Sequence, residues 1–301
     1  MARLNASKFD IKLNVPPFAK NSTWLVDEIG GQYQDFAVIE PCIAALGMPD
    51  GQLEPLLTDP WPWHDRRFTR RIAIATNEVT IKQFRVFLPE YFATDPMLTE
   101  ADPDAAMAMV SMQAAYSFCN SWSVASGLQT CYEARGDEDG QEKLYPKTNH
   151  LALNGYRLPT DGEWELACRS GTTTNRFYGD AEHLEHQYGW VSETPGIRFY
   201  NGAFISQPVA RFLPNRWGLF DMYGNVKEIC NRSCDPIRDS DEFIDDEAIS
   251  EASPYGGPRI RGVSLDAPGE LWGFSYCRTD RIVGEPDPLN GFRVVRTLLG
   301  E

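Results

Sequence analysis

Residues 261–281, near the C-terminal end, carry several side chains that could do chemistry. They read RGVSLDAPGELWGFSYCRTDR and include Cys277, Arg261, Arg278, Arg281, Trp272, Phe274 and Tyr276. A cysteine thiolate is a nucleophile and a ligand for soft metal ions. Aromatic side chains beside arginines on a loop are also typical of binding hot spots. The stretch is therefore a candidate for catalysis or for ligand binding, with the alternative that the aromatics belong to the core.

Length and charge narrow the class of protein. The chain has 301 residues and a formal net charge of −15. It is long enough for a packed core, and too acidic to bind nucleic acid or an anionic membrane through bulk charge. The sequence contains neither a recognisable signal peptide nor a membrane-spanning apolar run, which predicts a cytoplasmic protein. The acidic segment 239–250 is typical of a solvated loop, with a cation-attracting or regulatory loop as the alternative.

The cysteines and histidines form no recognisable metal motif. Seven cysteines are spread along the chain, which does not fit a secreted disulfide scaffold. Cys230 and Cys234 lack the second pair that a structural zinc site needs. His183 and His186 are spaced for one helical face, but in so polar a segment they are expected to be solvated. Neither a zinc nor an iron centre is predicted.

Three segments predict helices, because each begins with a capping residue and continues with an apolar face. Thr80 and Gln83 have the spacing of a capping box, as do Thr160 and Glu163 in a later segment. The third helix is expected to begin at Ser111. Elsewhere, short apolar runs between Gly, Pro and Asn predict short strands and irregular segments. The predicted fold class is therefore α+β.

Seven segments, taken in order, are similar to one known family. They are FAVIEPCIAALGMPDG, IATNEVTIKQFRVF, VSMQAAYSFCNSW, NGYRLPTDGEWELACRSGT, WGLFDMYGNVKEI, RIRGVSL and NGFRVVRT. In this order they resemble the formylglycine-generating enzyme, or sulfatase-modifying factor, family over roughly residues 31–299. The resemblance implies a variant of the C-type lectin fold that is low in regular secondary structure. It suggests one domain at 31–301, preceded by an N-terminal arm or linker at 1–30.

Members of this family that oxidise a sulfatase cysteine hold copper with two cysteines that follow an Arg-Gly-Gly-Ser motif. The matching residues 261–264 read Arg-Gly-Val-Ser, and the resemblance places Ala267 and Trp272 at the two copper positions. Neither side chain binds copper, which prefers soft sulfur ligands. The resemblance therefore implies a pseudoenzyme, and no catalytic residue is assigned.

The resemblance also implies a structural cysteine pair. It makes Cys168 and Cys277 neighbours, as close free thiols in a reducing compartment or as a disulfide in an oxidising one. The alternative is that both are separately buried small apolar side chains.

A structural Ca²⁺ is the one cofactor that the resemblance implies. Its ligands would be Asp221, Gly224, Val226 and Glu228. Two acidic side chains and two backbone carbonyls around a glycine turn supply the hard oxygens that Ca²⁺ prefers. The alternative is an ordinary turn whose acids bond only to the backbone.

The motif RLPTDGEWE invites a catalytic assignment for its acids, but we expect them to maintain structure. Glu163 is accounted for as the capping acid of the helix, and Trp164 as a core anchor. Asp161 and Glu165 offer no sequence evidence of a cleft or of a perturbed pKa.

The loop 265–289 occupies the family's active-site and ligand-binding position. The residues that we predict to bind a ligand or partner are Leu265, Asp266, Trp272, Phe274, Tyr276, Arg278 and Arg281. The favoured hypothesis is a non-catalytic module that binds an unidentified protein or small molecule with this loop. Because this fold carries several functions, two alternatives stay open. One is an oxidoreductase of the formylglycine-generating or non-haem metal type with atypical ligands, and the other is a hypervariable binding protein diversified by a retroelement.

Overall fold

A computed structural model describes most of the chain. The described residues are 23–29, 31–49, 63–92, 98, 100–136, 140–231, 244–245, 259–266, 273–279 and 288–300. Short strands in five small sheets and a few helices make up its regular structure, so the α+β class is confirmed. None of the described helices is long and apolar enough to cross a membrane.

The largest sheet has five strands and brings both ends of the described chain together. Its strands are β1 (Thr23–Ile29), β2 (Gln32–Ile39), β5 (Ile72–Ala75), β8 (Tyr156–Arg157) and β16 (Val295–Thr297). Their order is β1-β2-β5-β16-β8, and every pairing is antiparallel. Residues 292–295 are all buried, and β16 lies inside the sheet between β5 and β8.

A second sheet carries the segments of greatest functional interest. It contains β11 (Lys227–Cys230), β13 (Arg259–Arg261), β14 (Arg278–Thr279) and β15 (Asn290–Gly291), in the order β14-β13-β11-β15. The remaining strands are β3 (Cys42–Leu46), β4 (His64–Phe68), β6 (Tyr132–Gly136), β7 (Glu142–Pro146), β9 (Phe199–Tyr200), β10 (Ala203–Phe204) and β12 (Ile244–Asp245). They form one three-stranded sheet and two hairpins.

The three predicted helices are present and begin where their capping residues predict. They are α1 (Ile81–Phe87), α2 (Met112–Ala125) and α3 (Asp161–Arg169). Thr80 and Thr160 each form both hydrogen bonds of a capping box, and the Ser111 hydroxyl accepts from the amide of Ala114. These bonds satisfy backbone donors that would otherwise lack partners at the helix start.

The first strand lies inside the segment predicted to be an arm. Residues 23–29 pair along their whole length with β2, so the sheet begins before the predicted boundary at residue 31. The Trp24 ring packs so closely on Gly218 that a Cβ there would lie 2.0 Å from it. This long-range contact has no signature in the local sequence. Residues 1–22 of the predicted arm lie outside the described residues.

Two large apolar clusters form most of the core of the described residues. In the first, the rings of Phe84 and Phe118 stack at 5.3 Å, and those of Trp122 and Tyr156 stack at 3.9 Å. The second is built around Trp164 of α3, which is fully buried. Because the second cluster lies against α3 and β13, it supports the region in which the candidate site lies.

Candidate functional site

Arg261 ties the segment 273–279 to the body of the protein. This arginine is buried at the end of β13, and its guanidinium donates to the carbonyl oxygens of Ser275, Tyr276 and Cys277 at 3.4, 3.1 and 3.1 Å. The same guanidinium pairs with Glu165 at 2.5 Å and lies over the Trp164 ring at 5.2 Å. A charged hydrogen-bond donor therefore holds consecutive carbonyls of the segment in one arrangement.

Glu165 is a structural acid at the centre of this network. Its carboxylate also accepts from Arg169, at 2.8 Å, and from the amide of Gly47, at 2.8 Å. Burial acts to raise the pKa of Glu165, but Arg169 and Arg261 outweigh it and lower the pKa to about 2. A permanently ionised carboxylate with three donors fits ion pairing and not proton transfer.

The other acids of the RLPTDGEWE motif are engaged in the same way. Glu163 forms a two-pronged ion pair with Arg157, at 2.7 Å for each contact, in addition to capping α3. Asp161 lies 3.7 Å from Arg259. All four side chains are buried. Each of these acids therefore has a cationic partner, which agrees with the structural role expected of them.

Ser275 joins the segment 273–279 to the turn at 174–180. Its amide donates to the Asn175 carbonyl at 2.9 Å, and its hydroxyl lies 2.7 Å from the Tyr223 hydroxyl. The Tyr223 oxygen in turn accepts from the amide of Phe177 at 3.0 Å. A chain of hydrogen bonds thus fixes the two segments against each other, and side chains from both lie together.

Phe274 and Tyr276 are supports beneath the segment and not exposed contact residues. Each is only 5% exposed, and their rings stack at 5.2 Å with an angle of 3° between them. The Arg176 guanidinium lies 4.6 Å from the centre of the Phe274 ring. Both side chains are therefore buried as core residues are, which was the alternative for these aromatics. A direct role of Phe274 and Tyr276 in binding stays a prediction.

The other predicted binding residues differ in their surroundings. Leu265 is fully buried, whereas Asp266 is exposed and its carboxylate accepts from the Ser264 hydroxyl. The backbone of Arg278 pairs with Arg261 in the second sheet. Three residues, Ala267, Trp272 and Arg281, lie outside the described residues.

Cys168 and Cys277, the predicted pair, are both buried, and neither forms a disulfide within the described part of the chain. Burial raises the pKa of Cys168 to about 11, although the side chains of Tyr223 and Ser275 act against the increase. Ser275 lies two positions before Cys277, so the two cysteines border the same hydrogen-bonded junction. A thiol with a raised pKa is a poor nucleophile at neutral pH.

Three of the predicted calcium ligands, Asp221, Gly224 and Val226, lie on the turn that leads into β11, and the fourth, Glu228, lies in β11 itself. Asp221 and Gly224 both have positive φ, at 53° and 82°, and a Cβ on Gly224 would lie 1.9 Å from the Trp190 carbonyl oxygen. The two carboxylate oxygens of Glu228 accept hydrogen bonds from Nε and Nη2 of Arg293, at 2.7 Å each. Oδ2 of Asp221 accepts from the Ala210 amide at 2.6 Å. The other carboxylate oxygen of Asp221, Oδ1, is buried and has no hydrogen-bond partner among the described residues. This is expected of an atom that could ligate a cation.

Glu78 is a buried acid of this region that sequence reasoning missed. Both of its carboxylate oxygens lack a hydrogen-bond partner within the described part of the chain. Burial, with the charges of Asp221 and Glu228, raises the pKa of Glu78 well above its usual range, while Arg293 acts against the increase. Three carboxylates therefore share one guanidinium. No local sequence pattern marked this burial, because Glu78 directly follows the polar residues Thr76 and Asn77.

The acids of this region do not form a metal site by themselves. In the described ranges, no three His, Cys, Asp or Glu side chains converge closely enough to hold a metal ion. A cation on Asp221 would therefore also depend on backbone carbonyl oxygens, as the predicted Gly224 and Val226 ligands imply. The donor set of hard oxygens and surplus negative charge fits Ca²⁺ in its chemistry.

Arg176 is a second functional candidate that the sequence did not reveal. It is 1% exposed, and its Nε and Nη2 lack hydrogen-bond partners in the described ranges. It follows three threonines and an asparagine, in a segment with no helix or strand pattern. Its importance arises from the contact with Phe274, which only the folded chain brings near.

Solved structures share this fold over nearly the whole chain. The Treponema denticola variable protein 1 superposes with a TM-score of 0.72 and 22% identity, covering 91% of this chain and 99% of that one. The structure of PvdO from Pseudomonas aeruginosa gives a TM-score of 0.65 and 20% identity, covering 91% and 98%. At these identities the similarity establishes the fold alone.

Sequence comparisons give the family. A formylglycine-generating enzyme of Mycobacterium tuberculosis is 40% identical over 81 residues, which cover 25% of this chain and 26% of that protein. The chaperone protein LppX of Paenibacillus barcinonensis is 29% identical over 133 residues, covering 38% and 48%. The chain thus spans about half, or less, of these relatives. The family model for the sulfatase-modifying factor enzyme 1-like domain matches residues 30–298, and the chain therefore belongs to that family.

Proposed function

We propose that this chain is a non-catalytic binding module that recognises a protein or small-molecule ligand with the surface around loop 265–289. The observation that carries the proposal is the pair Ala267 and Trp272 at the positions where catalytic relatives would need copper-binding cysteines. Alanine and tryptophan offer no thiolate, so the oxidation chemistry of the family lacks its ligands.

The anchoring of the segment 273–279 supports a binding role. A recognition surface loses less free energy on binding when its backbone is already held in the bound arrangement. Arg261 fixes three carbonyl oxygens of this segment, and Ser275 ties it to the turn at 174–180. Asp266 is exposed at the start of the same loop, where a partner can reach it.

A structural Ca²⁺ is part of the proposal. Asp221 and Glu228 would supply carboxylate oxygens, and Gly224 and Val226 backbone carbonyls. Glu78 would add negative charge beside them. The ion would balance an excess of buried carboxylates that Arg293 alone does not neutralise, and so would fix the turn before β11.

An oxidoreductase with atypical ligands is the second candidate. Cys277 lies in the loop at the family's active-site position, and it is the observation that favours this reading. Against it, Cys277 is only 3% exposed, so its thiol is shielded from a substrate. Stoichiometric copper or iron in the purified protein, together with oxidation of a cysteine peptide, would establish this candidate instead.

A hypervariable binder is a special case of the first proposal. The likeness of the fold to that of the Treponema denticola variable protein 1 motivates this candidate. The test is genomic, because a retroelement would leave a reverse transcriptase gene and a template repeat beside the coding sequence. Finding neither would remove this special case and leave the binding proposal in place.

Binding through loop 265–289 can be tested with matched variants. Candidate ligands and partners captured by the wild-type protein would be measured against Asp266→Lys, Trp272→Ala and the control Glu142→Lys on the exposed β6–β7 hairpin. We expect both loop variants to weaken binding at least about tenfold and the control to retain it. Equal binding by all folded variants would refute the assignment of this surface.

A further inference from the structure

The turn at 174–180 holds Arg176 in a fixed position. The Arg176 carbonyl accepts from the amide of Gly179 at 2.9 Å and from the Thr174 hydroxyl at 2.6 Å. The side chain is buried, and its guanidinium lies against the Phe274 ring at 4.6 Å. Backbone and side chain are thus both restrained, which is the condition for a preorganised binding group.

Nε and Nη2 form the edge of the Arg176 guanidinium that lacks hydrogen-bond partners among the described residues. The same edge of Arg293 binds a carboxylate in this protein. In Arg293, Nε and Nη2 hold the two oxygens of Glu228 at 2.7 Å each. The same two nitrogens of Arg176 are buried and have no hydrogen-bond partner among the described residues. A cation–π contact with Phe274 compensates only part of the cost of burying a guanidinium. Nε and Nη2 of Arg176 would therefore be stabilised by a hydrogen-bond acceptor.

A second buried donor lies two positions after Arg176 in the same turn. The Tyr178 hydroxyl is buried and, within the described ranges, has no hydrogen-bond partner. Burial raises the pKa of Tyr178, so the hydroxyl stays protonated, and the Arg176 charge acts on the same group in the opposite direction. The Tyr178 ring stacks on Tyr188 at 4.5 Å, which fixes where the hydroxyl lies.

The charge of Glu185 also acts on this arrangement. Glu185 is buried, and its charge acts on the Tyr178 hydroxyl in the sense opposite to that of Arg176. A group with two negative charges would be repelled by Glu185 more strongly than a group with one. Because the charges of Arg176 and Glu185 oppose each other, a second negative charge on the ligand gains little net attraction and still has to be desolvated, which favours a carboxylate over a phosphate.

We propose that Arg176 and Tyr178 form an anchoring site for a carboxylate-bearing ligand, with the Phe274 ring supporting the guanidinium. Nε and Nη2 of Arg176 would donate to the two carboxylate oxygens in parallel, and the Tyr178 hydroxyl would donate a third hydrogen bond. The inference rests on the proposed binding function of this face and names the ligand class. The donor atoms themselves are buried, whereas Tyr178 as a whole is only partly buried, so part of this residue borders the surface.

Acetate is the simplest probe of this site. The melting temperature of the full chain would be measured in sodium acetate and in sodium chloride of equal ionic strength at pH 7. We expect acetate to raise the melting temperature of the wild-type protein by about 2 °C relative to chloride, because a ligand that binds the folded state stabilises it. Inorganic phosphate stabilises proteins non-specifically, so the expectation for phosphate at the same ionic strength is a smaller part of the rise that depends on Arg176.

Three variants make the result specific. Arg176→Gln should abolish the difference between acetate and chloride, and Tyr178→Phe, which retains the stacked ring, should reduce it. Arg198→Gln, an exposed arginine paired with Asp102, should leave it unchanged. An equal difference in wild type and Arg176→Gln would overturn the proposal, as would no difference in the wild type.

A direct signal covers the case in which Arg176→Gln does not fold. The Nε–H resonance of Arg176, assigned by nitrogen-15 NMR in the wild-type protein, should shift on acetate addition and saturate. An unmoved signal would refute the site. If it does not move while Asp266→Lys still abolishes partner binding, the carboxylate site is wrong and the binding function stands. If the loop variants bind the partner as the wild type does but acetate acts through Arg176, the carboxylate site stands and the assignment of partner binding to the loop is wrong.

Discussion

Arg261 and Glu165 stand 96 positions apart in the sequence, and their side chains form a buried ion pair of 2.5 Å. The pair joins helix α3 to the end of β13, and through the Arg261 donors it also holds the backbone of the segment 273–279. One interaction therefore serves two purposes. It balances a carboxylate inside the second core cluster, and it positions the proposed recognition loop.

Replacing Arg261 with methionine is expected to lower the free energy of unfolding by about 3–5 kcal/mol, because Glu165 loses one of its two cationic partners while buried. Urea unfolding followed by tryptophan fluorescence would measure the change. The matched control is Arg135→Met, which breaks an exposed pair with Glu133 and should cost under about 1 kcal/mol. Equal decreases in the free energy of unfolding of the two variants would show that the buried pair contributes no more to stability than the exposed one.

The low pKa of Glu165 predicts a specific acid sensitivity. Its pKa of about 2 in the folded protein lies below the ordinary value of 4.5, so the unfolded chain takes up this proton first as the pH falls. The associated stability, on the order of 3 kcal/mol, is present above about pH 4.5 and is lost as the pH falls towards 2.

Glu165→Gln should therefore lose less stability than the wild type between pH 5 and pH 3, although it starts from a lower value. Urea midpoints at the two pH values would give the comparison. Glu133→Gln, on the exposed pair, should keep the wild-type acid dependence. Identical acid dependence in wild type and Glu165→Gln would contradict the assigned pKa.

Gly224 is predicted to be irreplaceable for two separate reasons. Its φ is +82°, and a Cβ would lie 1.9 Å from the Trp190 carbonyl oxygen, which already accepts from the Asn225 amide. Gly140 has a similar φ of +75° but open space where its Cβ would be. Gly140→Ala should cost only the strain of a left-handed residue, about 1–2 kcal/mol.

Gly224→Ala adds the backbone collision to this strain. We expect it to lose at least about 3 kcal/mol or to yield no soluble folded protein, as judged by expression and urea unfolding. Similar stabilities for the two alanine variants would mean that the turn can move away from Trp190.

Local signals explain what the sequence could predict. A capping box spans only four residues, so Thr80 with Gln83 and Thr160 with Glu163 located two helices without any tertiary information. The family resemblance rests on ordered motifs in the same way, and it gave the fold correctly. Both kinds of evidence depend on residues that are neighbours in the chain.

The missed features all depend on distant contacts. Glu78 meets Asp221 and Arg293 only in the folded protein, and Arg176 meets Phe274 in the same manner. Glu78 lies in one of the family segments and Arg176 in none of them, but each resembles an ordinary surface charge when read alone. Their significance comes from burial without a hydrogen-bond partner, a property that no local pattern encodes.

Calcium content is the prediction that bears on the whole reading of the chain. Mass spectrometry of the purified protein after dialysis without chelator should find about one Ca²⁺ per chain and neither copper nor iron. Removal with a chelator should lower the melting temperature by several degrees, since a metal that binds only the folded state stabilises it. Asp221→Asn should reduce both the bound calcium and this chelator effect.

Glu40→Gln serves as the matched control, because Glu40 lies in an exposed pair with Arg71. It should bind calcium as the wild type does. If the wild type binds no calcium, the carboxylates around Arg293 are balanced by protons, and the turn before β11 is a structural element without a metal. If copper or iron is found in equal amount to the protein, the oxidoreductase candidate replaces the binding module, because Ala267 and Trp272 would then not have removed the metal chemistry.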